Sequence, residues 1–226
     1  MSGAASDVPA NAMAALTDRA ALTLRPARTA DIPVLAALLV QLYHVDLPGG
    51  LRGPLDAQQA LVRYMFEQAS GALFRRYVVV DAADRPLATA SLRHDYDRGL
   101  RAMPAGTTRL ALRLLGPLNT SRLLVSLLRA GLAPDLALGR RTALLHSVVV
   151  DAPLRGQGIG LWLISAIEPV ARAGGAHTMQ LRVAVWNAPA RRIYQHAGYR
   201  VVGRTPRWLG PLIFPSEVMQ KPLAEA

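Results

Sequence analysis

The chain has 226 residues, of which 51% are apolar and 18% charged, enough for a large core and too apolar for global disorder. Its formal net charge is +11, carried almost wholly by arginine because Lys221 is the sole lysine. The absence of cysteine excludes disulfides, cysteine nucleophiles and thiolate metal sites.

An arginine-rich surface suits an anionic partner such as phosphate, nucleic acid or an acidic membrane face. An arginine-biased composition with no functional meaning explains it equally well. No run approaches 18 apolar residues, so no transmembrane helix is expected. Residues 1–20 contain Asp7 and Asp18, no basic leader and no long apolar block. They read as a loose tail rather than a secretory signal, which makes the cytoplasm the expected location. The remainder, 21–226, reads as one domain with an insertion at about 98–141.

Leu22 to Arg25 is a short extended stretch. Thr29 then precedes Asp31 and Pro33 in N-cap position, and Val34, Leu35, Leu38, Leu39 and Leu42 recur at helical spacing to about His44. Leu47-Pro48-Gly49-Gly50 breaks that helix, and a second is expected from Asp56 to Ala69. Tyr77 to Val80 and Leu87 to Leu92 flank an Asp84-Arg85-Pro86 turn and predict a hairpin. Further strands are expected at Leu144–Val150, His177–Val185, Tyr199–Gly203 and Ile213–Leu223, with helices after the glycines at 156–160 and from Ala188 to His196. This order describes an α/β sheet of mixed direction.

The insertion is rich in leucine and arginine. Thr120 or Ser121 is a candidate cap for a helix ending at Gly131, with Leu123, Leu124, Leu127 and Leu128 on one face. Such a helix suits a lid over a substrate site, a packed insertion with a solvated basic edge, or a membrane-surface element. Its leucines would equally serve a homodimer.

Arg155-Gly156-Gln157-Gly158-Ile159-Gly160 follows a strand and opens a helix. Glycines permit tight turns and close approach of backbone N–H groups to a ligand. The first N–H groups of a helix lack internal partners, and its dipole favours an anion there. Arg155 adds a planar charged fork suited to phosphate oxygens. The segment is therefore a candidate pyrophosphate cradle. No Lys-Ser/Thr pair follows, so it is not a P-loop, and no carboxylate stands where a Rossmann ribose ligand would.

Val148-Val149-Val150, Asp151 to Leu154 and then Arg155 to Gly160 resemble the acetyl-CoA motif of the GNAT superfamily of N-acetyltransferases, with Arg155, Gly158 and Gly160 at the pattern's defining positions. Leu181 to Val185, Asn187, Ala190, Tyr194 and Gly198-Tyr199 resemble the family's second block. The resemblance implies a mostly antiparallel mixed sheet flanked by helices, in which two parallel strands splay apart around acetyl-CoA. Val148 and Val150, with Val149 between them, would pair with the pantetheine arm. Gly156, Gln157, Gly158, Ile159 and Gly160, with Arg155, would hold the pyrophosphate, and Asn187 and Ala190 would border the cofactor. No metal and no covalent intermediate are implied.

By the same resemblance Tyr194 returns a proton to the departing thiolate. A phenol near pKa 10 and a thiol near 8.5 are close enough for that exchange. A lysine-type amine is neutral in fewer than about one molecule per thousand at pH 7, so a base matters for alkylamines. His146 stands where arylalkylamine enzymes of the superfamily carry a histidine, and its residue type has the right pKa. Glu217 is the next candidate base and Asp95 the third. Structural roles explain each of them as well. Pro169 is expected to kink or break its helix, Arg191-Arg192 to meet adenosine phosphates or solvent, and Trp186 to lie in the core.

The resulting expectation is acetyl transfer from acetyl-CoA to a primary amine, a small molecule in preference to a peptide α-amine or a lysine side chain. A non-catalytic CoA- or nucleic-acid-binding module is the rival. Nucleic acid is not an expected partner, because no basic run interleaved with aromatics occurs.

Overall fold

A computed structural model of the chain describes residues 21–97, 103–132, 138–210 and 212–223. The N-terminal tail expected at 1–20 and the two ends of the insertion lie outside them.

Strand β1 (Thr23–Pro26) leads into helix α1 (Ile32–Asp46) and helix α2 (Leu55–Gln68). Thr29 does not cap α1. Asp31 fastens the entry instead: its carboxylate accepts the Arg28 backbone N–H at 2.7 Å and pairs with the Arg25 guanidinium at 2.7 and 3.0 Å. Those hydrogen bonds, the Arg25 pair foremost, hold the Asp31 pKa below its ordinary value despite its burial.

The expected hairpin is β2 (Arg76–Val80) and β3 (Pro86–His94). Its turn is tied by Asp81, whose side chain accepts the backbone N–H groups of Ala83 and Arg85 at 3.0 Å. Helix α3 (Thr107–Gly131) follows, then β4 (Thr142–Val150), helix α4 (Ile159–Ala173), β5 (Thr178–Ala184), helix α5 (Ala188–His196), β6 (Arg200–Arg204) and β7 (Ser216–Pro222). Among the described residues seven strands form one sheet in the order β1-β2-β3-β4-β5-β7-β6, with β4–β5 its one parallel pair.

Alternation along β5 separates the two faces. Met179, Leu181 and Val183 are buried against Leu163, Ile164 and Ile167 of α4, whereas Gln180, Arg182 and Ala184 turn to the other side. On that other side Leu35 of α1 packs on Val78 and Val80. α4 continues through Pro169 to Ala173, so the expected break is not found. The proline lacks the N–H that would bond one turn back, and buried side chains on both sides of it hold the helix together.

α3 departs from expectation. It begins at Thr107 after Gly106 (φ 83°), and Gly116 (φ 77°, ψ 168°) with Pro117 divides it into two segments. Thr120 and Ser121 are not caps: their hydroxyls donate back to the carbonyls of Gly116 and Leu118, at 2.8 and 2.9 Å. The leucines do not share a buried face either. Leu123 joins a core with Leu61 and Val62 of α2, while Leu124, Leu127 and Leu128 are exposed.

Candidate active site

β4 and β5 are hydrogen-bonded only from Thr142–Thr178 to Leu145–Leu181. Beyond that point β4 keeps its partner β3 through Val150 while β5 keeps its partner β7 through Ala184, so the two strands part. A bulge accompanies the parting. Two residues of β4, Ser147 and Val148, lie opposite the single Ala90 of β3, and Ser147 takes φ +52°. An extra residue in one strand bends it and sharpens its twist, and here it does so where the opening begins.

The glycine-rich turn stands at the far end of β4. Gly156 and Gly158 have φ of 81° and 83°, a region that a side chain strains. Gly158 is the N-cap of α4, and a Cβ on Gly156 would meet nothing within 4 Å. The N–H groups of Gly156 and Gly158 have no hydrogen-bond acceptor among the described residues. N–H groups without acceptors at a helix start fit a pyrophosphate. Gly160 meets a different need: a Cβ there would touch Ile193 of α5 at 3.5 Å and Val150 at 3.6 Å, which shows how closely α4, α5 and β4 meet.

Arg155 is braced rather than loose. Its Nε donates to the Val150 carbonyl at 3.1 Å and its Nη2 to Gln41 Oε1 at 2.9 Å. Gln41 also accepts the Ala152 N–H at 2.9 Å and donates to Asp151 at 2.7 Å. Sequence reasoning missed Gln41. It lies 114 residues from Arg155, half-buried on a helix, and nothing local in its surroundings marks it.

Asn187 caps α5, its side-chain oxygen accepting the Ala190 N–H at 3.2 Å. One face of α5 carries Tyr194, which is buried edge-on to Tyr199 with ring centroids 5.9 Å apart. Burial, and then the charge of Asp46, raise the Tyr194 pKa well above its usual value.

On the opposite face of the sheet a cavity of about 450 Å³ reaches the opening. Leu144, His146 and Arg182 line its floor, Tyr43 and Asp46 at the end of α1 line one side, and Leu127 and Gly131 of α3 another. Trp186, expected in the core, is half-open to solvent, and its indole Nε1 donates to the Val45 carbonyl at 2.8 Å. That bond fixes the end of α1, and with it Asp46, over β5. The Asp46 side chain reaches water but is crowded by protein, and the resulting desolvation pushes its pKa up to about 6. His146 is exposed, with its Nδ1 3.1 Å from Ser147 Oγ.

The other two candidate bases sit elsewhere. Glu217 on β7 is held by Arg191 at 2.8 and 3.0 Å and by Arg204 at 3.0 Å, with its side chain only 4% exposed. Arg191 is thereby committed to a carboxylate rather than to phosphates. Asp95 accepts the Arg141 N–H at 3.0 Å, at the closed end of the β4–β5 pair. A more open depression, about 370 Å³, lies between Arg52 and Arg122 and is lined by no residue of β4 or β5. Among the described residues no group of three or more His, Asp or Glu is placed to hold a metal, and no helix is long and apolar enough to cross a membrane.

A parallel pair that parts between a glycine-rich helix start and a cavity is the feature that sets this α/β sheet apart. Residues 51–199 match the acetyltransferase (GNAT) family, and the chain belongs to that family. It is 33% identical over 78 residues to L-methionine sulfoximine/L-methionine sulfone acetyltransferases of Pseudomonas aeruginosa and Pseudomonas paraeruginosa, a match covering 31% of this chain and 45% of each relative. The chain thus spans less than half the length of these relatives. The fold is similar to that of a GCN5-related N-acetyltransferase from Kribbella flavida, with TM-score 0.56 and 21% identity over 91% of this chain and 100% of that one. It is similar also to a Salmonella typhimurium protein solved with its cofactor acetyl-CoA, with TM-score 0.54 and 19% identity over 91% and 96% of the two chains. A Vibrio cholerae spermidine N-acetyltransferase shares it at TM-score 0.51 and 15% identity, over 91% and 95%.

Proposed function

We propose that the protein transfers an acetyl group from acetyl-CoA to the primary amine of a small molecule. The observation that carries this reading is the β4–β5 opening, with free N–H groups at one end and the cavity at the other. Acetyl-CoA supplies an acetyl group activated as a thioester.

The N–H groups of Gly156 and Gly158 and those around Gln157, Ile159 and Gly160 hold the pyrophosphate, and the braced Arg155 adds charge. The edge of β4 that β5 leaves uncovered at Val148 and Val150 receives the pantetheine arm as an added strand, with Val149 holding β4 to β3 and Asn187 and Ala190 bordering the thioester end. His146, at the cavity wall, accepts the proton that the amine must lose. Tyr194, protonated at working pH, is the proton donor to the sulfur that leaves, although burial widens the gap between its pKa and that of the thiol. Glu217 shapes the site by anchoring Arg191 of α5 to β7, a positioning role rather than a proton transfer. The contribution of α3 to the cavity wall favours a small acceptor over an extended peptide, which needs an open groove.

The experiment is CoA release from acetyl-CoA, read with a thiol reagent against amines and short peptides; a cysteine-free chain gives no background. Amine-dependent release greatest with small amines is expected. Release only with peptides would overturn the acceptor class, and tight acetyl-CoA binding without release from any amine would overturn the enzyme reading.

A further inference from the structure

The floor of the cavity is charged in a way that acetyl transfer alone does not require. Arg93 of β3 pairs in register with Leu144 of β4, and Leu144 with Gln180 of β5. Side chains two apart on a strand share a face, so Arg93, Leu144, His146, Gln180 and Arg182 lie on one side of the sheet. Arg93 and Arg182 therefore approach the cavity from opposite sides of β4, with His146 on the strand between them. Among the described residues Asp46 is the single carboxylate in the lining, and it comes from the end of α1. Much of the remaining wall is apolar, with Leu42, Leu127 and Phe214 prominent.

Two guanidiniums against one carboxylate leave the cavity net positive. A simple cation such as a polyamine would meet repulsion from the floor. Arg93 makes no ion pair or hydrogen bond among the described residues, whereas Arg75, just before the adjacent strand, pairs with Asp97. We infer that the cavity receives its acceptor as a zwitterion, an apolar primary amine that also carries a carboxylate, with Arg93 and Arg182 taking the carboxylate and Asp46 the ammonium group. The inference rests on the acetyl-transfer reading above and deepens it. A guanidinium fork matches a carboxylate in plane and charge, and both charges of such a ligand meet an opposite one. An ammonium group beside Asp46 also offsets the cost of keeping that carboxylate charged in its crowded surroundings. The apolar wall then takes the side chain, as in small-molecule pockets where few polar groups set orientation.

Binding separates this inference from the transfer reading, because it needs no turnover. Calorimetry with CoA present would compare L-leucine, L-methionine and L-phenylalanine with the three amines that result from removing their carboxyl groups. At least one acid is expected to bind tenfold or more tighter than its own amine. Arg93→Gln and Arg182→Gln should each shrink that preference at least threefold and together abolish it, Arg93→Lys should restore part of it, and Asp46→Asn should weaken acids and amines alike. Melting curves would establish that each variant is folded. Acids binding no tighter than their amines, no binding by any member, or a preference that survives the double variant would each overturn the inference. Selective binding without acetyl transfer would instead overturn the transfer reading and leave the zwitterion site standing.

Discussion

Gln41 of α1 and Arg155 of the glycine-rich turn are joined by a 2.9 Å hydrogen bond, Arg155 Nη2 to Gln41 Oε1, across the mouth of the candidate pyrophosphate site. The same Gln41 oxygen accepts the Ala152 N–H, so one side chain fixes both the arginine and the loop that leads to it. An arginine held in advance loses less freedom when a phosphate arrives. Gln41→Leu is expected to weaken acetyl-CoA binding by roughly fivefold to tenfold, about 1 kcal/mol per lost bond. Calorimetric Kd values for acetyl-CoA check this, and an unchanged Kd would mean that Arg155 needs no brace.

Tyr194 is buried, and desolvation with the nearby Asp46 charge holds its proton well beyond the usual phenol range. It therefore stays a donor at any working pH, and its ionisation should contribute no falling limb to the rate profile below pH ~10. Tyr194→Phe is expected to lower kcat by roughly 10²-fold or more, at the lower end of what a general acid contributes, with acetyl-CoA affinity unchanged. Equal kcat in the two proteins across the pH range would remove Tyr194 from the chemistry.

Glu217 distinguishes a base from a strut. Its buried carboxylate faces Arg191 and Arg204, and removing one partner of a buried pair leaves the other charge uncompensated. Glu217→Gln is expected to cost about 1.5 kcal/mol, half of the roughly 3 kcal/mol of a fully buried pair, because both arginines are partly exposed. For a chain of this size the midpoint of thermal unfolding should fall by roughly 3–6 °C. A kcat loss at unchanged midpoint would make Glu217 a proton acceptor instead.

Asp46 gives stability a pH dependence of definite sign. Desolvation raises its folded pKa to about 6, whereas an unfolded aspartate releases its proton near 4. Between those values the folded state binds more protons, so stability falls as pH rises from about 4 to about 6 and levels off above. Asp46→Asn should flatten that slope and raise the unfolding midpoint at pH 7.5. Unfolding curves from pH 4 to 8 on both proteins measure it, and parallel curves would show that Asp46 titrates normally.

Much of the frame was legible in the sequence because local rules settle it. The valines of 148–150, the glycines at 156 and 158 and the Asn187-Ala188-Pro189 helix start each act within a few residues, and the helix from Ala188 to His196 lies where spacing placed it. α3 is not legible locally because Gly116 and Pro117 interrupt one helix that starts at Thr107, where the composition predicts a helix starting after them. Trp186 was misread because its indole is drawn outward by a carbonyl on α1, a partner 141 residues away.

The order of elements, the conformationally special glycines and the two motifs of the acetyltransferase family are written in the chain, since backbone preference and short-range capping act along it. Tertiary structure alone decided which charges meet. It gave Arg155 to Gln41 and Arg191 to Glu217, and it brought Asp46, Arg93 and Arg182 to one cavity from a helix and two strands far apart in sequence. Side-chain electrostatics act through space over a few ångströms, and only the folded sheet sets those distances.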